Sequence, residues 1–473
     1  MKSLMLGLKR TALTCICHAV LSAGAVAAVS THAVPANITQ LMAAEHLPSS
    51  SVSFVIVDPD SGRTVMSLNP DTPRSPASTI KTVTTYAALD MLGPAYTWQT
   101  RAWTRDGDLY LQGGGDPYMT LERWWSFVQG LRATGLTIPG DIVIDNSEFS
   151  LPKEDPGAFD GRPNRTYNVL PDALLVNFQS IDFRIVADAD AHRVDIVASP
   201  APVNLEVENH IRFTPGRCNE SAGRVDFKVA SADSDRVIFS GALSPNCTER
   251  TFARVLLQPT TYAFGTFVQL WRAAGGEFRG KLRVEPTPAD AKPLFALQSL
   301  SLAEIVRLTN KHSNNLMARH LLLTLGKERY GDPATLEKGA AVIADWAHER
   351  GFDVSGVDID NGSGLSRSTH ITVLQLAKIL SAAYHSRFAP EYLASFPLAG
   401  VDGTLRSRMK NSPAGSVRLK TGHLDGVSGI AGYVTTSAGK AYVLVSLVNN
   451  ARADFGAAEP VHAALVTWIL DDL

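Results

Sequence analysis

A serine and a lysine three residues apart, as in Ser78-Thr79-Ile80-Lys81, share one face of a helix, and such a pair is equipped for acyl transfer. A serine hydroxyl attacks a carbonyl poorly until a base takes its proton, and a lysine one turn away serves as that base only when neutral. Its pKa must then fall from about 10.4 to near 7, a difference of about 4 to 5 kcal/mol that burial and a nearby cation supply. Lys420, in Lys420-Thr421-Gly422, is the obvious cation. On a strand bordering the site it repels a proton from Lys81 and offers charge to a substrate carboxylate, while Gly422 lets that strand come close to a ligand. Ser313 and Asn315, in Ser313-Asn314-Asn315, add a hydroxyl to relay a proton to a leaving amine and an amide to hold the substrate. The tetrahedral intermediate needs two donors aimed at its oxygen. The backbone N–H groups of Ser78, at a helix start, and of His423, next along the strand, are placed to supply them, and losing one such donor costs about 3 to 4 kcal/mol.

The same short patterns occur elsewhere, so the elements around them must decide. Ser150-Leu151-Pro152-Lys153 repeats the serine–lysine spacing, but the intervening proline disfavours the helix it requires. Ser67-Leu68-Asn69 and Ser244-Pro245-Asn246 likewise repeat the Ser-x-Asn pattern. At Ser78, in contrast, Pro76 stands where a first-turn proline belongs, an Ala/Thr/Leu-rich run follows, and Gly93-Pro94 ends it. Just upstream, Val52–Val57 and Thr64–Leu68 flank Asp58-Pro59-Asp60-Ser61-Gly62, a hairpin signal. Towards the other end, Arg418–Thr421, Ile430–Val434 and Ala441–Val448 read as strands and Ala457–Leu470 as a closing helix. The pattern from Leu302 to about His385 is helical and opens on a capping box, Ser301 to Glu304. The expected fold class is therefore α/β, an α+β sandwich with an antiparallel sheet and helices on both faces. This domain is discontinuous, built from residues 34–99 and 291–473.

Between Lys81 and Ser313 lie 313 − 81 = 232 positions. Most belong to a β-rich insertion, residues 100–290, with short runs such as Asp141–Ile144 and Arg193–Val197 between Gly, Pro and Asp turns. Ahead of it all, Lys2, Lys9 and Arg10 precede an apolar, alanine-rich run, and residues 1–33 read as a secretory signal, cleaved after Ala27 or Ala33. Cys15 and Cys17 leave with that segment, so the exported chain keeps two cysteines, Cys218 and Cys247, which are expected to form a disulfide. Of 473 residues 45% are hydrophobic and 19% charged, with a net charge of −2, so no basic stripe points to nucleic acid. The 12 histidines form no metal-ligand pattern, and neither a metal nor another cofactor is expected.

Taken in order, the three motifs resemble those of class C low-molecular-mass penicillin-binding proteins, the D-alanyl-D-alanine carboxypeptidase/endopeptidase family, from about Val52 to the C-terminus. Leu111–Pro117, Gly362–Arg367 and Ala399–Leu405 also resemble segments of that family, as does the long insertion, which there forms two lobes. The resemblance implies a periplasmic enzyme that removes terminal D-alanine from peptidoglycan peptides and cleaves D-alanyl cross-links through an acyl-serine at Ser78, and that penicillins acylate. It further implies Lys81 as base, Ser313 and Asn315 shaping the site, Lys420 with Thr421 receiving the carboxylate, and Arg367 and Asp160 touching the substrate's diamino-acid arm. Peripheral association with membrane or wall fits such a role. Two positions depart from the family: His423 replaces a small hydroxyl residue, and Arg319 stands where an acidic one is usual. A serine β-lactamase shares the acylation machinery, but no Glu-x-x-Leu-Asn element follows Ser313 to deliver water. A non-catalytic peptidoglycan-binding scaffold is the other alternative, against which all three motifs are intact.

Overall fold

The computed structural model describes residues 32–229 and 235–473; the expected signal segment, with Cys15 and Cys17, lies almost entirely outside them. Both ends of the chain meet in one antiparallel sheet of five strands, in the order Val417–Leu424, Val427–Thr435, Ala441–Asn449, Val52–Val57, Thr64–Leu68. Val52–Val57 is buried at every position, as a strand covered on both faces must be. Val55, Val443, Val445 and Leu447 pack on one side with Val83, Leu321 and Leu376. Phe54, Ile56, Leu444 and Val448 pack on the other with Val461, Leu465 and Ile469 of the closing helix, Ala458–Asp472. Period-two alternation thus splits one apolar run between two cores.

The nucleophile segment differs from the simple helix start expected. Ala77 adopts φ 45°, a conformation costly for a residue with a Cβ, and a 3₁₀ turn, Ala77–Ile80, leads into the helix Lys81–Leu92. That helix runs through the core and stops at Gly93, whose φ of 77° only glycine takes without strain. The helical stretch after Ser301 opens on the expected capping box and contains Leu302–His312, Asn315–Tyr330, Leu336–Glu349 and Val373–Tyr384. It is not continuous. Residues 350–372 form an irregular segment, because Asn361 and Ser363 bond within the turn and Gly362 and Gly364 take positive φ.

The chain leaves through Gln99–Arg105 and returns through Lys292–Gln298, and these two strands pair with each other, Gln99 opposite Gln298 and Thr104 opposite Lys292. They belong to a second five-stranded sheet, with two three-stranded sheets beyond. The region is β-rich, and two helices, Leu121–Ala133 and Pro259–Ala273, pack among its strands through the buried aromatics Trp124, Phe127, Phe267 and Trp271. Cys218 and Cys247 are bonded to each other, with their Cα atoms 4.9 Å apart.

Candidate active site

Ser78 and Lys81 meet where the 3₁₀ turn becomes a helix, and Lys81 Nζ lies 2.8 Å from Ser78 Oγ. Lys81 is fully buried. Its other partners are Asn315 Oδ1, at 2.7 Å, and the carbonyl of Ser363, in the irregular segment. All three partners are neutral oxygens. Burial first, and then the charges of Lys420 and Arg319, push the Lys81 pKa well below that of an ordinary lysine. A neutral amine has two N–H groups and one lone pair. With the N–H groups on Asn315 and Ser363, the lone pair is left for the Ser78 hydroxyl, the state a general base requires.

Asn315 opens its helix, and Asn314 caps it by accepting from the backbone N–H of Met317 at 3.0 Å. Ser313 ends the preceding helix in the left-handed conformation, φ 55°. Between them these two caps make the sharp corner that turns Ser313 towards the edge strand and Asn315 towards Lys81. Lys420 Nζ donates to Ser313 Oγ at 2.8 Å and to the Thr421 carbonyl at 2.6 Å. It too is fully buried, and burial lowers its pKa to about 7. Thr421 Oγ1 donates to Thr404 Oγ1 at 2.8 Å.

Gly422 packs against the nucleophile turn so closely that a Cβ there would lie 2.7 Å from the Pro76 carbonyl and 3.1 Å from Ser78 N. A glycine at this point is what allows the strand to reach the backbone N–H of Ser78. His423 follows on the opposite face, exposed, paired with Ser428 across the hairpin.

The last two sequence-derived residues sit at the rim. Asp160 accepts from Tyr167 Oη at 2.7 Å, Asn168 Nδ2 at 2.8 Å and Arg162 N at 3.0 Å. Slight desolvation raises its pKa, but the bonds from Tyr167 and Asn168 outweigh it and hold the carboxyl below the usual range. Arg367 stacks over Phe159, 4.4 Å from the ring centre, with Nη2 3.4 Å from Asp425. Phe159 in turn packs with Ala77, Leu424 and Val427. Asn315 Nδ2 donates to the Tyr167 carbonyl at 3.1 Å, joining this rim to the floor. Of these contributors, Ser363 and Tyr167 act through backbone carbonyls, which no side-chain motif reveals; Arg319 lies one turn beyond Asn315 on the same helix. Facing Arg319 are the charges of Glu154 and Asp360, the local pairing that its departure from the family pattern left open.

The decoy motifs have other fates. Ser150–Lys153 lies in irregular chain, Ser67–Asn69 ends a strand, and Ser244 Oγ donates to the Gly216 carbonyl at 2.6 Å within a turn.

Known proteins share this arrangement of chain. The D-alanyl-D-alanine carboxypeptidase of Actinomadura sp. (strain R39) is 27% identical over 425 residues, covering 84% of this chain and 77% of the relative. Penicillin binding protein 4 of Haemophilus influenzae superposes with a TM-score of 0.76 at 24% identity, over 91% of this chain and 99% of that one, and its structure has also been solved with a β-lactam. The predatory endopeptidase Bd0816 of Bdellovibrio bacteriovorus has the same fold at a TM-score of 0.52 and 15% identity, over 89% and 94% of the two chains. Matched from residue 34 to residue 471, the chain belongs to the D-Ala-D-Ala carboxypeptidase 3 (S13) family and is a serine-type carboxypeptidase.

Proposed function

We propose that Ser78 is the nucleophile of a serine D,D-peptidase that removes terminal D-alanine from peptidoglycan peptides and opens D-alanyl cross-links, and that β-lactams acylate the same serine. The single observation that carries this reading is the triple contact of buried Lys81 with Ser78, Asn315 and Ser363, which leaves a neutral lysine one lone pair and one hydroxyl to accept from. Lys81 takes the Ser78 proton as Oγ attacks the carbonyl. The backbone N–H groups of Ser78 and His423 receive the oxyanion. Ser313, bonded to Lys420, relays to the departing amine the proton that Lys81 took from Ser78, which leaves Lys81 neutral again, and Lys81 then takes a proton from the water that attacks the acyl-serine. Asn315 orients both Lys81 and the substrate amide, and Lys420 with Thr421 marks the side of the cleft that receives the substrate carboxylate. Asp160 and Arg367 face the diamino-acid arm.

Residues 34–99 and 291–473 act in this reading as one catalytic domain, with residues 100–290 as an insertion whose 160s segment borders the cleft through Tyr167. A periplasmic location after loss of residues 1–33 agrees with the disulfide.

Intact-mass analysis of the mature protein and its Ser78→Ala variant with excess benzylpenicillin tests the proposal. A Ser78-dependent adduct persisting for many minutes is expected. Rapid turnover with return of unmodified protein would instead indicate a β-lactamase, and no adduct on the wild type would remove the acyl-serine altogether.

A further inference from the structure

The Lys420 strand has two faces, and the side chains alternate between them. Lys420 reaches Ser313, and Gly422 presses on Pro76 and Ser78, so these residues look inward. Thr421 and His423 therefore look outward. On that side lies a cavity of about 370 Å³, lined by Arg408, Thr421, Gly422, His423, Ser428 and Glu459. Gly422 is shared: it lines the cavity, and a Cβ built on it would lie 3.1 Å from Ser78 N.

A substrate that ends in D-alanine brings a carboxylate to this part of the cleft, and the cation expected to meet it is Lys420. The structure makes Lys420 a poor partner. Its ammonium is fully buried and already donates to Ser313 and the Thr421 carbonyl, and burial lowers its pKa. The cavity is lined by one guanidinium, that of Arg408. Its Nη2 meets the Glu459 carboxylate, and its Nε is buried without a hydrogen-bond partner. A planar guanidinium matches a carboxylate bidentately, which a lysine ammonium does not. Behind Ser428 the imidazole of His462 bonds Ser428 and Ser446, and burial together with the Arg408 charge keeps it neutral, so it brings no second cation.

We infer that Arg408 determines specificity for a free carboxylate on the leaving group, holding it in this cavity beside the Thr421 hydroxyl while Lys420 serves Ser313. The inference rests on the acyl-serine reading above. It is tested by acylation rates with benzylpenicillin and with its methyl ester, which lacks the charge, on the wild type, Arg408→Gln and Arg408→Lys. Arg408→Gln is expected to slow acylation by the free acid by about 10- to 100-fold and by the ester by less than about 3-fold. Arg408→Lys, which keeps charge and stem, is expected to retain part of the preference for the acid. An equal loss on acid and ester, or no loss on the acid, overturns the assignment. Should Arg408→Gln not fold, the lysine variant decides: a preference for acid over ester that falls short of the wild type supports the assignment, and an unchanged one overturns it. A wild type acylated by neither compound defeats the acyl-serine reading and this inference with it, an outcome recognised without any Arg408 variant.

Discussion

The floor of the cleft and its rim are built on opposite principles. On the floor, Lys81 and Lys420 are withdrawn from solvent, and every functional contact comes from a helix end, a strand or a turn locked by packing. At the rim, Arg367 and Asp425 expose 53% and 84% of their side chains, and Asp160 is fixed only by neighbours in its own loop. Burial is what makes the floor chemically active, since it is the largest cause of the pKa shift at both lysines. The rim's charged groups stay in contact with water, where they suit choosing a ligand rather than transforming one.

If that contrast is right, the largest effect follows from Lys81→Met. Loss of the base is expected to cut the acylation rate by about 10³-fold or more, measured by stopped-flow with a chromogenic β-lactam. The same change should stabilise the protein. Because the Lys81 pKa is lower folded than unfolded, the unfolded chain binds more protons between that folded value and about 10.5, and wild-type stability rises with pH across this window. Methionine removes the penalty of burying an ionisable group, so the variant is expected to gain about 1 to 2 kcal/mol near pH 7, with the difference shrinking as pH rises, as read by denaturant titration. A variant equally unstable at every pH would mean that burial is not what tunes Lys81. For acylation itself the sign is the same: the rate climbs with pH as Lys81 loses its proton and levels off well below pH 10.

Gly422→Ala probes the floor without touching a titratable group. Its Cβ meets backbone at Pro76 and Ser78, which cannot swing aside as a side-chain tip would. A displaced Ser78 amide should cost about 10²-fold in acylation while the pH at half-maximal rate stays put, since the lysines keep their surroundings. A large shift of that midpoint would show instead that the strand's position also governs Lys81.

This contrast also accounts for how far the sequence could be read. Ser78, Lys81, Ser313, Asn315 and Lys420 stand out because acyl transfer restricts residue type and because helix and strand signals frame each motif. The two sheet-forming chain ends were legible for the same reason: strong apolar runs, with Gly93 and the Ser301 capping box marking helix limits. What escaped was whatever depends on the path of the backbone. The φ of Ala77, the Ser363 carbonyl on Lys81 and the Tyr167 carbonyl on Asn315 leave no trace in side-chain chemistry. The helices Leu121–Ala133 and Pro259–Ala273 were lost in a region of short apolar runs, where tertiary packing rather than local pattern decides. Arg408 stands 420 − 408 = 12 positions before Lys420, in the loop after Ala399–Leu405, where nothing in its residue type marks it; the fold brings it beside Thr421.

The smallest expected effects belong to the rim, and they sharpen the comparison because they should depend on the ligand. Asp160→Asn retains the acceptor Oδ1 but removes the charge; Arg367→Gln removes the guanidinium from Phe159 and Asp425. Each is expected to raise KM about 2- to 5-fold for a peptide carrying a free diamino-acid arm, with kcat nearly unchanged, because exposed charges contribute about 1 kcal/mol or less. Neither should alter acylation by benzylpenicillin, which has no such arm. A matching loss with penicillin would mean that Phe159, packed on Ala77, transmits the disturbance to the nucleophile turn, and that rim and floor are one structure rather than two.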